Sequence, residues 1–330
     1  MLIPTFLRIA ISLALFRPLL AQSIPSLSRR ALTELEEGNA LTPTRRHRRS
    51  VDASHRISRR TPLLNGALGN LLNDILNTFG QGVPNGCSGK EMKYTEGQGS
   101  FDKDSIAQRF DIYHNAWGSQ AATPDSFQTT KCHRYDHILG ITVWSTAYDW
   151  KPVDDSKKNQ VKSYCNAGWA GTPVQISALK KFETTWKWSY EDASQDLVSD
   201  VSYDIFTSKS KDCSGQAGGC ATHEVMIWLS ARGGALPAGS KVDDKTITVE
   251  GGYTFSVYKG EVGGIPVISL VPSPADKEYT NFSANLIPLM GDLAAYGLEA
   301  DEYISTIGAG TEPFMGKAKL VTEQYSLLIN

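Results

Sequence analysis

From Cys87 onward the chain is written in short runs of β-branched and aromatic residues separated by turn residues. That pattern leaves little room for anything but stacked sheets. Such runs fall at 138–147, 159–165, 184–190, 197–206, 223–230, 245–258, 265–271, 302–308 and 317–329. One stretch breaks the rhythm. Over 283–296, Leu286, Ile287, Leu289, Met290, Leu293 and Tyr296 suit a helix, weakened by Pro288 and Gly291. Many strands and one short helix predict an all-β fold, an antiparallel sandwich or jelly roll of two stacked sheets.

The first 86 residues are of another kind. Arg8 is followed by the apolar run 9–16, and Leu19-Leu20-Ala21 ends it, so 1–21 reads as a secretory signal. The run is too short to span a bilayer, and no later segment is long enough. Residues 22–60 are polar and carry the pairs Arg29-Arg30, Arg45-Arg46, Arg48-Arg49 and Arg59-Arg60, the pattern of a removable pro-segment; a basic tail that stays attached is the alternative. Residues 61–86, with Leu64, Leu68, Leu71, Leu72, Ile75 and Leu76, are expected to form a short helix or linker.

Residues 1–60 hold 11 arginines, no lysine and 4 acids, leaving 22 basic against 31 acidic residues beyond them. An acidic body is a poor match for nucleic acid, which needs a basic surface, whereas a neutral polysaccharide raises no such objection. Five cysteines fit an oxidising compartment with two disulfides and one thiol over. Cys213 and Cys220 flank a glycine-rich stretch and read as a stapled loop. Cys87 and Cys132 can close the N-terminal strands, worth about 4 kcal/mol in the loop-entropy account. Cys165 is then the free one. None of the five has the paired spacing of a zinc site.

Two glutamates carry the chemistry. In the run His223-Glu224-Val225-Met226-Ile227-Trp228, alternation puts Glu224 on one face with Met226 and Trp228, and Val225, Ile227 and Leu229 on the other. Glu312, in Gly310-Thr311-Glu312-Pro313-Phe314, is held extended by the proline that follows. Glycoside cleavage needs one carboxylate ionised and one protonated, in environments that push their pKa values apart. Glu224 is the candidate nucleophile, Glu312 the acid/base, and Asp204, in Val201-Ser202-Tyr203-Asp204-Ile205-Phe206, a hydrogen-bonding support from another strand. From pattern alone, solvated acids on an open sheet face remain the competing account.

With 198–207, 224–229 and 310–314, and with Asn159-Gln160-Val161-Lys162-Ser163-Tyr164 and 281–286, the chain from about Cys87 to Asn330 resembles glycoside hydrolase family 12, of the fungal or oomycete secreted type. The resemblance implies a β-jelly roll with a concave groove and a catalytic domain over 87–330. It implies a retaining mechanism, in which Glu224 attacks, Glu312 is the acid/base and Asp204 assists, with carboxyl groups about 5–5.5 Å apart. It implies no metal and no cofactor. Met226 and Trp228 match residues beneath the sugar, Trp117 and Trp150 match groove aromatics, and Asn115 can bond hydroxyls. Trp144 matches another family tryptophan, while Trp186 and Trp188 suit packing.

The implied partner is a β-glucan, with no nucleic acid or membrane, and the implied enzyme is a secreted monomer. Residues 229–235, 258–260 and 281–286 look more like the xyloglucan-active branch than the cellulose- or mixed-linkage-active one. The competing class is a non-catalytic glucan-binding or host-recognised jelly roll. The chain departs from the family at His223, where an aromatic is usual and alternation suggests a structural residue turned outward, and in the cysteine loop 208–222. Asn281-Phe282-Ser283 is a glycosylation sequon.

Overall fold

Alternation is plainest over residues 182–191, where Phe182, Thr184, Trp186 and Trp188 are buried while Glu183 and Lys187 face out. The computed structural model describes residues 86–95, 101–106, 109–213 and 219–330; the expectations for 1–85 lie outside the described residues. The strands are β1 (Glu91–Thr95), β2 (Lys103–Ile106), β3 (Phe110–Tyr113), β4 (Phe127–Asp136), β5 (Ile141–Trp150), β6 (Cys165–Trp169) and β7 (Val174–Gln175). There follow β8 (Phe182–Glu191), β9 (Val198–Ser208), β10 (His223–Arg232), β11 (Ser240–Val249), β12 (Tyr253–Val262), β13 (Ile265–Pro272), β14 (Asn281–Asn285), the helix α1 (Ile287–Asp292) and β15 (Tyr303–Ile329).

Two sheets share their longest strand. One runs β1-β4-β5-β15-β8-β14, the other β2-β3-β6-β15-β9-β10-β13-β12-β11. Residues 303–315 of β15 lie between β6 and β9, and residues 316–329 lie between β5 and β8. The crossing falls at Gly316, whose φ of 97° suits glycine and where a Cβ would sit 2.8 Å from Leu197 Cα.

Between the sheets, Val225, Ile227 and Leu229 of β10 and Val201, Tyr203 and Ile205 of β9 join a core with Trp144, Trp186, Trp188, Leu320 and Tyr325. Trp186 meets Tyr203 edge-on, centroids 5.3 Å apart, and its Nε1 donates to Thr322 Oγ1 at 3.0 Å. Trp186 and Trp188 are core residues, as their sequence setting suggested. Filling the core with the odd-numbered residues of β9 and β10 turns the even-numbered ones, acids included, to the opposite face.

The sandwich and its helix match the sequence reading, with differences in detail. The runs 302–308 and 317–329 are one strand. The run 245–258 holds a hairpin that turns at Gly251-Gly252, both with positive φ. Residues 159–164 are not a strand, because a buried lysine organises them as a turn (below). The helical stretch begins late: 281–285 is an edge strand on β8, and only Ile287–Asp292 is α-helical. Within the otherwise antiparallel sheets, β10 and β13 pair in parallel.

The disulfides join Cys87 to Cys132 and Cys213 to Cys220, and Cys165 is free and buried. Burial pushes the Cys165 thiol up to about 12, so it is an inert core residue.

Candidate active site

β9 lies between the two strands that carry the glutamates. Its register sets Glu312 of β15 opposite Asp200, Gly308 of β15 opposite Asp204, and Met226 of β10 opposite Asp204 from the other side. Glu224 stands diagonally from Asp204, its direct partner being Phe206. Four carboxyls from three adjacent strands thus gather on the face away from the core. The glycines of β15 open that face. A Cβ at Gly308 would lie 2.8 Å from the Tyr164 ring, and one at Gly310 2.2 Å from the Cys165 carbonyl. Tyr164 lies across Gly308, and its hydroxyl donates to the Ser202 carbonyl at 3.1 Å.

Glu224 and Asp200 are buried, Asp204 and Glu312 half-buried, and loss of water dominates the electrostatics of the cluster. Burial pushes the Glu224 carboxyl up to about 7. Burial also raises Asp204 well above the usual carboxylate range, with the charges of Glu224 and Asp200 adding to the shift. Glu312 is raised likewise, by burial first and then by Asp200, Asp204 and Glu224. Asp200 rises to about 7, restrained by hydrogen bonds with Ser202 and Glu312. The four groups do not all ionise together.

The segment after Glu312 is anchored by Lys162, whose side chain is wholly buried. Its ammonium donates to the carbonyls of Lys157, Gln160 and Phe314 at 2.8, 2.6 and 2.7 Å, and its backbone N–H donates to the Pro313 carbonyl. Three carbonyls around one ammonium explain why 159–164 turns rather than pairs.

The sequence-predicted binding residues divide. Trp117 is 48% exposed and presents a free indole face. Its neighbour Asn115 is half-buried, with a φ of 42° that sets the loop, and its carbonyl accepts from the Tyr164 N–H. Trp150 is fully buried, packed against Tyr94 at 5.1 Å in a cluster with Ala116, Tyr148 and Leu197. It supports the Asn115–Trp117 loop from below and offers no face to a sugar, which corrects the groove assignment. Trp228, 1% exposed, packs with Met226, Ala235, Val267, Val271 and Phe314; these two form the floor under the carboxyls rather than a contact surface. His223 is structural but not turned outward. It is buried, and its Nδ1 bonds Glu302 at 2.9 Å, tying the start of β10 to the start of β15.

Three contributors were not singled out from sequence: Asp200, Tyr164 and Lys162. For Asp200 the signal was available, since Asp200, Ser202 and Asp204 alternate on one strand face. For Lys162 there was none, because lysines are rarely buried.

A two-sheet β-sandwich that presents paired, buried carboxyls on the open face of one sheet is the architecture of a glycoside hydrolase. Residues 108–330 match Glycosyl hydrolase family 12, and the chain belongs to that family. The xyloglucan-specific endo-β-1,4-glucanase 1 of Phytophthora nicotianae is 38% identical over 225 residues, 67% of this chain and 87% of that protein. A second protein of the same organism, named inactive glycoside hydrolase XLP1, is 39% identical over 229 residues, 68% of this chain and 89% of its own. Among solved structures, Trichoderma harzianum endoglucanase 3 of family 12 superposes with a TM-score of 0.61 at 25% identity, covering 73% of this chain and 98% of its own.

Proposed function

We propose that this chain is a secreted, retaining endo-β-1,4-glucanase that acts on plant cell-wall glucan, with xyloglucan its preferred substrate. The observation that carries the reading is the pair Glu224 and Glu312, on β10 and β15, each beside an aspartate of the strand between them. Glu224, ionised, attacks the anomeric carbon. Glu312 protonates the departing glycosidic oxygen as the C–O bond breaks and its electron pair moves to that oxygen. Glu312 then takes a proton from water, which displaces Glu224 and leaves the anomeric configuration as it began. Trp117 supplies a flat apolar face for a sugar ring, and Asn115 the adjoining hydrogen bonds.

The xyloglucan preference has two supports. One is the name of the Phytophthora relative. The other is a cavity of about 450 Å³ bordered by Ser230, Arg232, Tyr258 and Glu278, with room for a branch sugar. Its wall is fixed by the pair Arg232–Glu278, 2.7 Å apart, with Arg232 over the Tyr190 ring. Secretion agrees with the two disulfides.

Initial rates on xyloglucan, barley β-glucan and carboxymethylcellulose, measured side by side, test the substrate; faster release of reducing ends from carboxymethylcellulose overturns the preference. Glu224→Gln and Glu312→Gln are each expected to lower kcat on polysaccharide by about 10²-fold or more. Proton NMR of the first product is expected to show retention. The inactive relative makes a glucan-binding role the competing reading. Wild-type protein that binds xyloglucan without releasing reducing ends decides for it.

A further inference from the structure

Glu224 attacks only as a carboxylate, and burial has already pushed it up to about 7. The acid working beside it must hold its proton above that value. Asp200 stands where such a proton can be held. It faces Glu312 across the β9–β15 ladder and is wholly buried. Its Oδ1 accepts from Ser202 Oγ at 2.8 Å and from the Glu312 N–H at 3.4 Å. Its Oδ2 is buried and meets no N–H or hydroxyl donor. A side-chain hydrogen bond joins Asp200 to the carboxyl of Glu312, its neighbour across the ladder. Two carboxyls make such a bond only by sharing a proton.

We propose that Asp200 is the positioning residue of the acid/base: as a carboxylate it holds the proton on Glu312 without touching the sugar. This rests on the assignment of Glu312 as acid/base. Asp204 stands diagonally from the nucleophile across the β9–β10 ladder, and the charge of Glu224 helps to raise it. When Glu312 passes its proton to the leaving oxygen, two carboxylates are left face to face in a buried site. Their repulsion is relieved when Glu312 takes a proton from the attacking water, so Asp200 also makes Glu312 the stronger base of the second step. The other titratable groups around the pair are Asp204 on β9, Glu224 on β10, Tyr164 ahead of β6 and Tyr190 of β8. The Tyr190 hydroxyl bonds the Asp200 carbonyl rather than its carboxyl.

The test compares xyloglucan with a 2,4-dinitrophenyl cello-oligosaccharide, whose leaving group needs no protonation, in wild type, Asp200→Asn and Glu312→Gln. In Asp200→Asn, kcat/KM on xyloglucan is expected to fall about tenfold or more, with less than about threefold loss on the activated substrate. The alkaline limb of its kcat/KM profile moves to lower pH, because the anion that holds the Glu312 proton is gone. Ser202→Ala, which removes the donor to Asp200 Oδ1 and leaves that carboxylate the stronger base, moves the limb the opposite way, to higher pH, and by less. Equal losses on both substrates with the limb in place, in both variants, overturn the proposal. Glu312→Gln separates the two claims. If it shows no leaving-group dependence, the acid/base assignment fails; if it shows one and Asp200→Asn does not, only the role of Asp200 fails.

Discussion

Trp117 and Trp150 show how little residue type says about role. Both are tryptophans beside the same loop, yet one has its indole in solvent and the other supports the loop from within. Their substitutions to alanine should separate cleanly. Trp117→Ala is expected to raise KM on xyloglucan severalfold, with stability changed by less than about 0.5 kcal/mol, as for other exposed positions. Trp150→Ala is expected to cost about 3–5 kcal/mol, because it empties a packed site. Urea titration and KM measured on both variants check the pair; a Trp150→Ala protein of unchanged stability with a raised KM returns that residue to the groove.

At the scale of elements, β15 joins the chemistry to the architecture, carrying Glu312 in one sheet and the core residues Leu320 and Tyr325 in the other. Its turn between sheets depends on Gly316. Gly316→Ala is expected to destabilise by about 1–2 kcal/mol or more, from positive φ and from contact with Leu197, measured by chemical denaturation. Sequence showed both halves of β15 as strands but not their continuity, because Gly316 reads as an ordinary break. The period-two signal placed Glu224 on its face without any structure. It did not single out Asp200, whose role depends on the pairing of β9 with a strand about a hundred residues away. The turn at 159–164 was illegible for a similar reason: a run read as extended is held instead by carbonyls that include Phe314, far along the chain.

For the whole molecule, the buried carboxyls dominate the response to pH, against the smaller and opposite contribution of His114, which burial lowers to about 4. Glu224 and Asp200 are pushed up to about 7 in the folded chain and titrate near 4 when unfolded. Between those values the folded state binds more protons. The stability they contribute is therefore complete below about pH 4 and is lost as pH rises through 7. The exposed Asp125, drawn down to about 2 by its hydrogen bond to Lys151, acts only below that window. Calorimetry from pH 4.5 to 7.5 is expected to show Tm falling by roughly 5 °C or more, with a shallower fall in Glu224→Gln. A flat profile in the wild type rules this out.

β15 also imposes an order of events on synthesis. It is an inner strand of both sheets, so the upstream strands await it from the moment they leave the ribosome. β5 and β8 lack their common neighbour until residues 316–329 emerge, and β6 and β9 lack theirs until 303–315 do. The acid/base arrives with the same segment. A nascent chain therefore holds hairpins with open edges, the form most exposed to wrong pairing, until one late strand completes both sheets and the catalytic pair together.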